Sequence, residues 1–288
     1  FEAGLSERKI VVVGSSNTDM VVRVPTLPSA GETVLGGDFL EAAGGKGANQ
    51  AVAAARLGAG VTLIAKVGED ELGDRALQAF QEEGIVTDYV LRDPNDRSGV
   101  ALIIVDDAGE NLIAVASGAN GRLSPEDLQA AGSVIEEAEI LLIQLEVPLR
   151  TVREAVRLAA GFGTRVILNP APAQPLDDEI LQHVSVLTPN VGEAEVLTGI
   201  RVTEEGSARE ASDILLESGV ESVVITLGSA GSWVADGNSG KIVSPIKIKA
   251  VDSTAAGDAF NGALAYALAG GRDLFEAFSR LMLENERL

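Results

Sequence analysis

Cysteine is absent from this 288-residue chain, and histidine occurs once, as His183. The first absence removes disulfides, thiolate nucleophiles and cysteine-ligated zinc, and it suits a reducing, cytoplasmic setting. The second leaves His183 without partner ligands for a metal; it reads as a surface residue behind a short helix. Aromatic residues make up 3% of a chain that is 46% hydrophobic, so the core has to be built from Val, Ile, Leu and Ala. Basic residues are scarce as well: 22 Lys and Arg against 43 Asp and Glu give a net charge of −21. Such a surface repels nucleic acid and anionic membranes, and neither is expected as a partner. No apolar run approaches the roughly 20 residues of a membrane helix, and no charged-then-apolar signal opens the chain. The first residue is Phe1 rather than Met, which reads as a trimmed or partial start.

Two common nucleotide-binding patterns are also missing. Gly44-Gly45-Lys46-Gly47 is not a Walker A loop, because Gly follows the lysine and position 40 is Leu. Val13-Gly14-Ser15-Ser16-Asn17 lacks the G-x-G-x-x-G dinucleotide fingerprint. Nucleotide chemistry on this chain needs another scaffold.

Asp252-Ser253-Thr254-Ala255-Ala256-Gly257-Asp258 supplies one. It follows a strand-like run, Lys247 to Val251, and leads into a small-residue helix predicted over Ala259 to Ala269. Small residues bare the amides of a helix N-terminus, where anionic charge is best held. Asp258 beside that cradle suits a base that takes a hydroxyl proton while phosphate charge is held nearby. In isolation Asp258 also reads as an ordinary first-turn carboxylate. Gly44-Gly45-Lys46-Gly47-Ala48-Asn49-Gln50 opens a second helix, Ala48 to Leu57. Lys46 stands at its start, where a cation is disfavoured by about 0.3–1 kcal/mol, so a polar or anionic partner is expected. Asn17 and Asp19 are turn formers, yet at i and i+2 on a strand they face one way and can grip one ligand.

Around these motifs the chain alternates β and α segments. Lys9 to Val13, Val61 to Lys66, Ile140 to Gln144, Arg165 to Leu168, Val186 to Thr188 and Ser222 to Thr226 read as strands; Leu72 to Glu83, Leu149 to Ala160 and Ala208 to Glu217 read as helices. The pattern predicts an α/β fold with a mainly parallel central sheet covered by helices on both faces. Ligands of such sheets sit at the strands' carboxyl ends. Thr18 to Val24, Thr33 to Leu40, and a hairpin of Ser98 to Val105 with Asn111 to Ala116 lack intervening helices and predict a small separate β-sheet. The core is assigned to 1–16, 44–97 and 119–288, and the smaller sheet to 17–43 and 98–118. Asp106-Asp107 reads as a solvated hairpin tip, Glu195 as a helix-surface acid, and Trp233 as packed in a β segment.

Taken in order, Gly14-Ser15-Ser16-Asn17-Thr18-Asp19, Gly44 through Asn49, Gln144-Leu145-Glu146, Asn169-Pro170-Ala171-Pro172-Ala173, Thr188-Pro189-Asn190 with Glu193, Thr226-Leu227-Gly228 and Asp252 through Asp258 resemble the ribokinase-like family of sugar kinases, from about Lys9 to Phe278. The resemblance implies a ribokinase-like fold with a β lid that mediates dimerisation, and ATP-dependent phosphorylation of a pentose, D-ribose to D-ribose 5-phosphate. It assigns Asp258 as the base, and Ala255, Ala256 and Gly257 as the anion hole. Asn17, Asp19, Gly45, Lys46, Asn49 and Glu146 become the pentose set. Asn190 and Glu193 become phosphate and magnesium-water contacts; Thr226, Gly228, Ser229 and Gly231, with Gly257, hold the nucleotide. Asp252 and the Thr254 carbonyl become part of a potassium site. The implied cofactors are ATP, Mg²⁺ and K⁺. No cation occurs from Val186 to Ile200, so nucleotide charge falls to magnesium and backbone amides.

The ending departs from the family pattern. Ser279 to Leu288 does not match the helix, glycine loop and last helix expected after Phe278, which implies an incomplete or open adenine pocket and potassium site. That departure keeps a second reading alive, a non-catalytic sugar-binding or regulatory protein. Deoxyribose, another sugar or a nucleoside are alternative acceptors.

Overall fold

The computed structural model describes residues 8–244 and 255–278. In chain order the elements are β1 (Lys9–Val13), β2 (Asn17–Val24), β3 (Phe39–Gly44), α1 (Lys46–Arg56), β4 (Gly60–Gly68), α2 (Glu71–Glu82), β5 (Val90–Asp93), β6 (Gly99–Asp106) and β7 (Asn111–Ala116). They continue with α3 (Pro125–Ala130), α4 (Gly132–Glu136), β8 (Ile140–Ile143), α5 (Leu149–Phe162), β9 (Arg165–Leu168), α6 (Asp178–Leu181), β10 (Val186–Leu187), α7 (Val191–Thr198), α8 (Glu205–Glu217), β11 (Ser222–Thr226), β12 (Ser232–Asp236), β13 (Gly240–Val243) and α9 (Ala256–Ala269).

The main sheet runs β13-β12-β11-β10-β9-β8-β1-β4-β5. From β11 to β5 the pairings are parallel, and β12 and β13 close one edge antiparallel. Its central strands are unbroken apolar runs such as Ile140-Leu141-Leu142-Ile143, all buried, as expected of a sheet covered on both faces. Side-chain alternation splits each strand between two cores. Val11 and Val13 pack with Val152, Val156 and Leu215 of α5 and α8, whereas Ile10 and Val12 pack with Ala51, Ala54, Phe80, Leu264 and Leu268 of α1, α2 and α9. The expected α/β fold is therefore present. The buried indole of Trp233 lies in β12, as expected, donating to Ser212 Oγ at 2.9 Å.

A second sheet, ordered β3-β2-β6-β7, stands apart. It is mixed: β2 pairs parallel with β6, and the outer pairings are antiparallel. The strand expected over Thr33 to Leu40 forms later, from Phe39 to Gly44. Gly36 explains part of the delay: it lies so close to β2 that a Cβ would come within 2.6 Å of the Arg23 carbonyl, a close approach rather than a regular pairing. The Asp106-Asp107 tip is a turn, with Asp106 Oδ1 accepting from Ala108 N at 2.9 Å and Glu110 N at 3.0 Å. His183 follows α6 as expected but is half-buried rather than on the surface. No described helix is long and apolar enough to cross a membrane.

Candidate active site

Helix α9 begins at Ala256, three residues before the predicted start, so Asp258 falls in its first turn. Ala255 precedes it with φ 56°, in the left-handed region. For an alanine that conformation costs about 1–2 kcal/mol, and such strain collects at functional sites. The turn is pinned from within the sheet: Asn261 Nδ2 donates to the Gly257 carbonyl at 2.8 Å, and Thr188 Oγ1 donates to Asn261 Oδ1 at 2.6 Å. Ala255, Ala256 and Gly257 are exposed, while Asp258 is 7% exposed. The start of α9, whose first amides have no partner within the helix, thus stands beside a sheltered carboxylate.

Helix α1 holds that carboxylate. Asn49 Nδ2 donates to Asp258 Oδ2 at 3.0 Å, and Gln50 Nε2 donates to Oδ1 at 2.9 Å. The helices come this close because of Gly262, one turn beyond Asp258. A Cβ there would lie 2.6 Å from the Gln50 carbonyl and 2.7 Å from Ala53 Cβ. At the other end of α1, Gly45 takes φ 90° against β2, where a Cβ would meet Asn17 N at 2.7 Å. The Lys46 amide donates to Glu146 Oε2 at 3.0 Å, and Ser15 Oγ donates to the same oxygen at 2.5 Å.

A cavity of about 240 Å³ opens over these groups at the carboxyl ends of the parallel strands. Lys46, Asn169, Thr188, Asn190, Glu193 and Thr226 line one side, and Ala255 to Asp258 line another. Acid groups crowd it. Burial, then the Glu146 and Asp258 carboxylates, push the Asp19 carboxyl above its ordinary value, with Lys46 opposing. Burial likewise pushes Glu193 up, against the pull of the Asn190 amide and Lys46. The cation at the start of α1 therefore has the anionic surroundings its position called for.

Residues 7–280 match the pfkB family of carbohydrate kinases. The chain belongs to that family. It is 43% identical over 270 residues to a ribokinase of Haemophilus influenzae, covering 94% of this chain and 88% of that one. A deoxyribokinase of Salmonella typhi is 36% identical over 275 residues, covering 95% and 90%. The solved ribokinase of Arabidopsis thaliana, complexed with ribose and ATP, superposes with a TM-score of 0.88 at 32% identity, covering 94% of this chain and 89% of that one.

Within this kinase the sequence-predicted residues separate into groups. Asp258 and the Ala255–Gly257 cradle share the cavity with Lys46, Asn190, Glu193 and Thr226. Asn49 reaches it through Asp258, and Asp19 and Glu146 through their charge. Asn17 lies behind, its Oδ1 accepting from Asn120 Nδ2 at 2.8 Å. Gly228 and Ser229 are exposed on the turn after β11, and Gly231 is buried beneath them; none of the three lines the cavity. Asp252 and Thr254 lie outside the described residues, as do Lys247 to Val251 and Ser279 to Leu288. Glu195 is exposed, as expected of a surface acid.

Five buried residues hold Asp258 and its turn: Gln50, Gln144, Asn169 and Thr188, which the sequence motifs contain but to which sequence reasoning gave no role, and Asn261, which it passed over. One signal was available for Gln50, a long amide among Ala48, Ala51 and Ala54 on the buried face of α1. A larger hollow of about 490 Å³, lined by Arg209, Trp233 and Asp236 between α8 and the β12–β13 edge, shares no residue with the site.

Proposed function

We propose that this kinase transfers the γ-phosphoryl group of ATP to the primary hydroxyl of D-ribose, giving D-ribose 5-phosphate. The observation that carries the proposal is Asp258, sheltered at 7% exposure and held by two side-chain amides beside the exposed start of α9. The names of the Haemophilus and Arabidopsis relatives support the choice of sugar and nucleotide. A sugar is a ring of hydroxyls, so its site needs paired acceptors and donors: Asp19 and Glu146 accept, and Asn17, Asn49 and Lys46 donate. Asp258 takes the proton of the attacking hydroxyl. The amides at Ala255, Ala256 and Gly257 hold charge on the transferring group. Asn190, Glu193 and Thr226, with the turn through Gly228, Ser229 and Gly231, take the nucleotide side.

Magnesium fits this donor set in one manner. Among the described residues no three acidic or histidine side chains cluster to hold a metal. The Glu193 carboxylate accepts from Asn190 N at 2.8 Å and Asn190 Nδ2 at 2.9 Å, which turns both residues to the cavity wall. A hydrated ion brought in on the nucleotide's phosphates suits a lone carboxylate and amide that orient its waters. Such an ion neutralises charge on the phosphate oxygens. Potassium at Asp252 and the Thr254 carbonyl, and cytoplasmic residence beside the ATP pool, complete the proposal.

The Salmonella relative favours a second acceptor, 2-deoxyribose. A coupled ADP-release assay with ribose, 2-deoxyribose, other sugars and nucleosides, with Mg²⁺ and with or without K⁺, separates these readings. Ribose is expected to give the highest kcat/KM. Sugar binding with no ADP release from any acceptor would overturn the kinase assignment in favour of a binding protein.

A further inference from the structure

Behind Asp258 lies a row of buried amides that direct phosphoryl transfer does not use. Gln144 Nε2 donates to Gln50 Oε1 at 2.6 Å. Gln50 Nε2 then donates twice, to Asp258 Oδ1 at 2.9 Å and to Asn169 Oδ1 at 3.1 Å. Asn169 Nδ2 donates in turn to the Thr188 carbonyl at 3.2 Å. Gln50 and Gln144 are fully buried. The row is assembled from α1 and from the carboxyl ends of β8, β9 and β10, so four separate elements are tied together through Gln50, which alone meets Asp258 Oδ1.

The row is directional. Gln50 cannot present its carbonyl to Asp258 without setting acceptor against carboxylate, so its NH₂ end is fixed toward the charge. Its Oε1 then requires a donor, which fixes the Gln144 amide as well. The consequence is visible at the far end: Gln144 Oε1 is buried with no hydrogen-bond partner. It faces the Cα of Gly14, where a Cβ would come within 2.2 Å of that oxygen. An orphaned buried acceptor costs about 1–3 kcal/mol. Exchanging both glutamines for apolar residues would remove that cost along with the donor to Asp258. A row that retains the cost keeps the carboxylate oriented, and unsatisfied polar groups in native proteins ask for such an explanation.

We infer that Gln50, oriented by Gln144, is a positioning residue that fixes the Asp258 carboxylate for proton abstraction from the sugar hydroxyl. The inference rests on the reading of Asp258 as the base. Asn49 holds Oδ2 alone and leaves the carboxylate free to turn about that contact; Gln50 on Oδ1 removes the freedom. Gln50 does not line the cavity, so its effect belongs to turnover rather than to sugar binding.

The test is a double-mutant cycle of Gln50→Met and Asp258→Asn, read as kcat, KM for ribose, and ribose affinity by calorimetry. Gln50→Met is expected to lower kcat about 10- to 100-fold, the scale of a misplaced reacting group, with KM and ribose affinity within about twofold. In the Asp258→Asn background the same change is expected to cost nothing further, because its target is gone. A purely structural Gln50 would lower activity equally in both backgrounds, and that result overturns the inference. So does wild-type kcat in Gln50→Met while Asp258→Asn is inactive; this outcome leaves the base assignment standing. Undiminished turnover in Asp258→Asn overturns the base assignment itself. If Gln50→Met does not fold, Gln144→Leu takes its place: Gln50 keeps its amide but loses the donor that orients it, and the same loss of kcat at retained ribose affinity is expected.

Discussion

Asp19 carries a cost that its neighbours make legible. Its carboxyl is pushed up by burial first and then by Glu146 and Asp258. A carboxyl whose folded value is raised binds its proton more tightly in the folded chain than in the unfolded one. Its favourable contribution is full below the ordinary carboxylate range and is lost as pH rises through the raised value. At pH 7 Asp19 therefore opposes folding. Asp19→Asn is expected to melt higher than the parent protein at pH 7, with the gap closing toward pH 4, and to bind ribose more weakly. Scanning calorimetry at the two pH values checks the first part, and an equal melting temperature at pH 7 would refute it.

Helix α9 meets α1 through a single missing side chain. Gly262 brings the two backbones together, and the approach sets Asp258 against Asn49 and Gln50. Gly262→Ala places a methyl group within 2.6 Å of a carbonyl on α1, an atom that cannot swing aside. Overpacking of this kind costs about 1–3 kcal/mol. The variant is expected to melt a few degrees lower and to lose turnover more than ribose affinity, because α9 shifts with Asp258 on it. Unchanged stability and kcat would show that the helices have slack the close contact denies. The predicted helix start at Ala259 missed this geometry: α9 begins at Ala256, which puts Gly257 and Asp258 inside its first turn.

The second sheet exposes apolar side chains on both of its faces. Phe39, 60% exposed, shares one face with the exposed Leu102 and Leu112, and Leu40, also 60% exposed, shares the other with Ile113 at 58% and the exposed Val115. Patches of this kind mark association surfaces, and β7 is an edge strand open to further pairing. On β2, by contrast, Val24 is buried and Met20 and Val22 are half-buried. We propose a homodimer through this sheet. Sedimentation at micromolar concentration is expected to give a dimer for the parent chain and a monomer for Ile113→Glu. A parent chain that sediments only as a monomer would rule out the dimer.

Strand runs such as Ile140 to Ile143, the amphipathic spacing of α5 and the glycine-bounded motifs made the α/β fold readable from composition and periodicity alone, because burial on two faces demands unbroken apolar strands. Asp258, Lys46 and Asn49 were readable as chemistry because their residue types sit where helix starts concentrate charge effects. Gln50, Gln144, Asn169 and Asn261 were not. An amide in a sequence carries no sign of which partner it will meet, and these four meet partners across sequence separations of 208, 94, 119 and 73 residues. Local pattern settled which elements form and which groups are chemically capable. Only the close passage of α9 over α1 and the alignment of strand ends decided which of those groups touch, since hydrogen bonding is short-ranged and the chain's order does not encode distance.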